Sequence, residues 1–403
     1  MSQPTVMTCI GQEEHKLIVY DETIAMGDSY RAAVKCKENI QYCIAEPFGD
    51  VDEAVRIYNL LITLKHPNLL SPIGLWACRG GDFGKGEVKA FIAFVPFDGA
   101  LVDLSREEIF LVEGNSSKAK SYGFLPQGSR LFCDILNVVD CINGQYENAN
   151  AATSFPLRPL KVNPRRIVYK RVAEGEYHVF LWADFLKEFP SHKRKKTKRG
   201  RKDPTVDDVR SMNWESIGTY LKNFWSRFEL TPNQELTQLF TLLTNTEKSL
   251  IYSDLMWKPG LWDVDTKVHF IREVYWCIDN DSEKERKLKS ISSLDLKSCI
   301  TSLGFTDKES NLFNSVMFLR KKVVAHMDDL YSYRGAKDDM CRHKREIEIR
   351  VQKSRPDYMI KLVKHMQTLN WIPTSPLLRS STTYIQPFMC GSNKVTDPRR
   401  PNG

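Results

Sequence analysis

No stretch of the sequence reaches the roughly eighteen consecutive apolar residues a membrane-spanning helix needs, so no span is expected. The opening MSQPTVMTCIGQEEHK lacks the basic-then-apolar pattern of a secretory signal. Ten cysteines are scattered from Cys9 to Cys390, with no CxxC pair and no His/Cys cluster at zinc spacing. A structural metal site is therefore not expected. The cysteines read as small buried hydrophobes in a reducing compartment, the cytoplasm or the nucleus. No internal repeat stands out.

What is present is ordinary for a globular protein: 403 residues, 42% hydrophobic and 27% charged. That length allows two or three domains with a substantial core. The net charge of +8 is local. Residues 193–202, KRKKTKRGRK, hold eight Lys or Arg and no acid, and without them 50 basic face 50 acidic residues. Such a run is a solvated loop, a nuclear-import signal or a phosphate-binding arm; it has no interleaved aromatics to stack on bases.

Residues 1–110 read as strands around one helix. Segments 17–20, 32–36 and 42–45 suit strands. Residues 52–64 suit a helix, with apolar Val55, Leu60, Leu61 and Leu64 and acids at its start. A Pro/Asn turn and a strand follow to Trp76, then a strand at 90–95. Helical periodicity recurs at 131–143, 205–225 and 234–243. Segments 79–86 and 143–153 read as surface loops.

Several of these segments resemble a protein kinase. RAAVK (31–35) resembles the strand carrying the phosphate-pairing lysine, here Lys35. LKHPNLL (64–70) resembles the end of the regulatory helix, and AFIAFVPFDGALVDL (90–104) the last small-lobe strand and hinge. LRPLKVNPRRIVY (157–169) stands at the catalytic loop, and ADFLK (183–187) at the metal-binding Asp-Phe-Gly. The departures are as informative. Only Gly27 is present where a phosphate loop has three glycines. The helix glutamate falls on Ile57, the catalytic aspartate on Pro159, the loop asparagine on Pro164, and Leu186 replaces glycine. Phosphoryl transfer rests on positioning and magnesium, so the resemblance implies a pseudokinase. Lys35 and Asp184 are left as residues for binding ATP or ADP.

Farther on, residues 316–330 read VMFLRKKVVAHMDDL. As a helix from about Glu309, Leu312, Val316, Leu319 and Val323 form one stripe that continues to His326. Lys322 lies four residues before His326 and can share its surface; Lys321 lies five before it. An imidazole beside a cation is a group able to act on a phosphodiester, and equally a core histidine at a helix end.

The segment SDLMWKPGLWDVDTKVHFIREVYWCID (253–279), that histidine stretch, and SRPDYMIKLVKHMQTL (354–369) follow one another in this order. Together they resemble the KEN nuclease domain, which follows a kinase fold in the unfolded-protein-response kinase/endoribonucleases and the oligoadenylate-activated ribonuclease. The resemblance implies metal-independent RNA cleavage by 2′-hydroxyl attack, with no cofactor required. His326 stands at the family's general acid, while Lys321 and Lys322 replace its Arg-Asn pair. Lys308 stands where the family has a tyrosine base. Lysine keeps the charge but loses the bidentate grip on phosphate.

The expected architecture is α+β: a two-lobed kinase-like fold followed by an all-helical KEN-type domain. Residues 1–11 are expected as a tail, 12–250 as the kinase-like domain with a basic insert at 191–204, 251–372 as the helical domain, and 373–403 as a disordered tail. Two functions are carried forward. One is an RNA-processing enzyme in which the kinase-like part dimerises and aligns the nuclease domains. The other is a non-catalytic scaffold binding nucleotide, RNA or a protein.

Overall fold

The computed structural model describes residues 5–9, 12–24, 29–77, 88–105, 109–112, 121–145, 159–160, 162–182, 205–244, 250–279, 281–289, 357–372 and 375–376. The chain begins as a meander of four antiparallel strands: β1 (Thr5–Cys9), β2 (Gln12–Thr23), β3 (Tyr30–Cys36) and β4 (Asn39–Phe48). Helix α1 (Val51–Thr63) crosses to β5 (Pro72–Ala77) and β6 (Ala90–Phe94). The order β1-β2-β3-β4-β6-β5 closes into a barrel because β1 pairs with β5, Thr8 opposite Ala77.

Alternation along the strands gives each face its own core. Leu17, Val19, Ala32, Val34, Cys43, Ala45, Trp76, Phe91 and Ala93 fill one side. Ile44, Phe48, Ile92 and Phe94 on the other side join the core that holds Ala54, Ile57 and Leu61 of α1. The helix starts at Asp50, whose carboxylate accepts from the Asp52 amide at 3.2 Å. Acids at Asp52 and Glu53 suit its positive end.

The second half is mainly helical. Short β7 (Gly99–Ala100) leads into a 3-10 turn, Leu101–Asp103, then β8 (Phe110–Val112) and β9 (Ser121–Phe124). Helix α2 (Pro126–Gln145) precedes a 3-10 turn, Pro164–Arg166, and the hairpin β10 (Ile167–Ala173) and β11 (Glu176–Leu181), which pairs with β7. Then come α3 (Val206–Ser226), β12 (Thr231–Pro232) and α4 (Gln234–Thr244). Thr205 and Asp208 form a capping box at the start of α3. Gly218 lets α3 approach α4, since a Cβ there would lie 2.6 Å from Leu243 Cβ.

The described remainder is helical: α5 (Tyr252–Leu255), a 3-10 turn Pro259–Leu261, α6 (Val264–Asp279), α7 (Ser282–Lys289) and α8 (Tyr358–Thr368). Leu362 and Met366 of α8 belong to the same core as α1, α2, α3 and α4. No helix among the described residues is long and apolar enough to cross a membrane.

The α+β class and the helices expected at 52–64, 131–143, 205–225 and 234–243 stand, whereas the helix expected from about Glu309 lies outside the described residues. Two boundaries change. Residues 5–9 are a strand closing the barrel rather than part of a tail, because TVMTC supplies the backbone partners that β2 and β5 lack. The C-terminal tail does not start at 373, because Ser375 is fully buried and its hydroxyl donates to the Met256 carbonyl at 2.6 Å.

Candidate functional site

His326, Lys321, Lys322 and Asp184 lie outside the described residues, as does the basic run 193–202. Lys35 is described. It sits exposed on β3, opposite Ile40 of β4. As the strand expected at 42–45 implies, β4 lies between it and α1 and leads into the helix, and the inward acid of β4 is Glu46.

Glu46 is 1% exposed. Its carboxylate lies 3.1 Å from Arg166 Nη1 and accepts from Trp182 Nε1 at 2.8 Å. The Arg166 guanidinium stacks 4.1 Å from the centre of the Trp182 ring. Phe94 and Phe97 meet that ring edge-on, at 5.9 and 5.0 Å between centroids. Trp182 also donates its amide to the Arg166 carbonyl at 2.8 Å. One carboxylate, one guanidinium and one indole thus close on each other. Glu46 comes from the barrel; Arg166 and Trp182 flank the β10–β11 hairpin. Burying both charges costs free energy, which mutual attraction, the indole hydrogen bond and ring stacking offset.

Beside this knot the turn after α1 is tied to the same hairpin. Asn68 Nδ2 donates to the Val179 carbonyl at 3.1 Å, and the Leu181 amide donates to the Asn68 carbonyl at 2.8 Å. The Asn68 amide donates to His66 Nδ1 at 3.1 Å. Burial holds His66 below the usual imidazole value, against a hydrogen bond with Asn137 of α2. One turn earlier on α2, burial pushes the Asp134 carboxyl up to about 6, opposed by Arg130 and by a hydrogen bond with Asn68. His178 of β11 is held low, first by burial and then by Arg130.

The loop at the expected catalytic position is anchored from below. The Leu160 amide donates to Asn213 Oδ1 at 2.6 Å, and Asn213 Nδ2 donates to Asn143 Oδ1 at 2.7 Å. Pro159, just before it, is exposed and offers neither proton donor nor carboxylate. Ile57, at the expected glutamate position, is buried in the core. Neither position can take part in phosphoryl transfer.

The junction with the C-terminal helices is also tied. Lys267 of α6 and Glu235 of α4 form an ion pair at 2.7 Å, with side chains 6% and 0% exposed. Ser129 Oγ of α2 donates to the Leu261 carbonyl, and Trp262 Nε1 donates to the Met256 carbonyl at 2.9 Å. Gly260 fits against the Glu235 carbonyl, where a Cβ would meet oxygen at 2.6 Å.

Sequence reasoning missed Glu46, Arg166, Trp182 and Asn213. Glu46 carried a signal, being the one acid in the apolar run CIAEPF. Among the described residues no cluster of His, Cys, Asp and Glu is arranged to hold a metal ion.

No family model matches the sequence, and no curated protein matches it. Solved structures with partial likeness include two double mutants of the Mycobacterium tuberculosis PknI kinase domain. One is 12% identical over 60% of this chain and 91% of its own, with a TM-score of 0.34. The other is 14% identical over 62% and 92%, with a TM-score of 0.35.

Proposed function

We propose that the first 250 or so residues are a kinase-like platform that does not transfer phosphate, and that it carries a C-terminal helical domain that processes RNA. The observation that carries the platform reading is the junction. The buried Lys267–Glu235 pair and the shared core fasten α6 and α8 to α2 and α4. Such fixing would let one half orient the other. Loss of phosphotransfer is supported by Pro159 at the loop and Ile57 on α1, neither of which can orient a hydroxyl or pair with a cation.

The RNA reading is supported by the sequence of His326, Lys321 and Lys322, which stand at the positions of the general acid and the phosphate-holding pair in the KEN resemblance and keep cationic charge for phosphate. Homodimerisation through the kinase-like part would bring two such domains together. The alternative is a scaffold that binds RNA, a protein or a nucleotide, with Lys35 and Asp184 as the nucleotide-facing residues.

A labelled hairpin RNA, incubated with purified full-length protein without magnesium, separates these readings. Cyclic-phosphate products that disappear in His326→Ala, and that rise steeply with protein concentration, are expected for a dimeric nuclease. RNA retained without cleavage supports the scaffold. Neither cleavage nor retention removes RNA from the function altogether.

A further inference from the structure

We propose that Glu46, Arg166 and Trp182 form an internal clasp, in which the Glu46 carboxylate serves as a built-in anion on Arg166 and locks the barrel to the helical half. The inference is independent of whether RNA is cleaved.

Three observations carry it. First, the members come from both halves: Glu46 lies within β4, whereas Arg166 precedes β10 and Trp182 follows β11. Second, both charges are buried, and each carboxylate oxygen has its own partner, Oε1 facing Arg166 and Oε2 facing the indole. Third, the neighbouring contacts run the same way. Asn68 and Leu70, just before β5, exchange backbone hydrogen bonds with Leu181, one residue before Trp182. The clasp is therefore the charged centre of a continuous seam.

A guanidinium held against an aromatic ring is a group that takes an anionic partner: a carboxylate or a phosphate. Here the protein supplies that anion itself. An incoming phosphate would meet the Glu46 charge and would have to displace it from both partners. The seam thus favours an internal carboxylate over an external phosphate. Removing the carboxylate should expose an anion site of matching size.

The test uses the full-length chain and a double-mutant cycle of Glu46→Gln, Arg166→Gln and the pair together, followed by thermal unfolding at neutral pH. Each single variant leaves one buried charge uncompensated, and its midpoint should fall by roughly 5–10 °C. The double variant buries no net charge there and should lose clearly less than the two singles combined. If a single variant fails to fold while the double folds, that coupling is shown in its strongest form. A second measurement asks for chemical rescue. Acetate should raise the midpoint of Glu46→Ala, beyond sodium chloride at equal ionic strength, and should have no such effect on Glu46→Ala/Arg166→Gln. Additive single effects, or acetate acting equally without Arg166, would each overturn the clasp.

Discussion

Asp134 shows how one side chain can set the protein's response to pH. Its carboxyl is half-buried on α2 and its native pKa lies near 6, raised chiefly by burial. A carboxyl raised in this way keeps its proton longer in the folded chain than in the unfolded one. Folding is then most favoured below the ordinary carboxylate value, and stability falls as pH climbs from about 4 to about 6. Asp134→Asn should remove that slope and stabilise the protein above pH 6 by on the order of 1 kcal/mol, discounted for partial exposure. Urea unfolding at pH 5 and pH 8 would check it; an unchanged difference between the two pH values would show that Asp134 is not the source.

Local periodicity made the helices legible. The apolar spacing at 131–143, 205–225 and 234–243 marks α2, α3 and α4 because each buries one face, and Asp50 and Thr205 cap where the pattern begins. The strands were harder to place. Chain order puts 42–45 last before α1, but how the strands lie side by side was not legible: β3 lies between β2 and β4, and β4 joins β6. Likewise β1 is five residues whose barrel partner, β5, lies far along the chain. Glu46 meets Trp182 across 136 positions, a distance no local pattern reports. The helix contact, by contrast, makes a firm local prediction. Gly218→Ala places a methyl 2.6 Å from Leu243 Cβ, so α3 and α4 must separate, at a cost of about 1–3 kcal/mol in denaturant unfolding. A change near zero would mean that the pair yields without cost.

Taken whole, the described chain is organised about one large core, running from the outer face of the barrel through α2, α3 and α4 to α8. A molecule built this way should not unfold in separate kinase-like and C-terminal steps. Lys267→Ala strands the fully buried Glu235 carboxylate at the junction and should cost roughly 3–5 kcal/mol. It should also lower the midpoint seen by tryptophan fluorescence and by far-UV circular dichroism together. Two resolved transitions would show that the C-terminal helices are an independent unit joined by a weaker seam.

The five residues of β1 bear on solubility. They supply the hydrogen-bonding groups that would otherwise be left open along β2 and β5. A chain shortened to begin at residue 11 would present two raw sheet margins at once, and such margins recruit strands from other molecules. Light scattering on that shortened protein should reveal concentration-dependent clustering, with the intact protein staying dispersed under the same conditions. The stretch that reads as a tail would then be what keeps neighbouring molecules from adhering to one another.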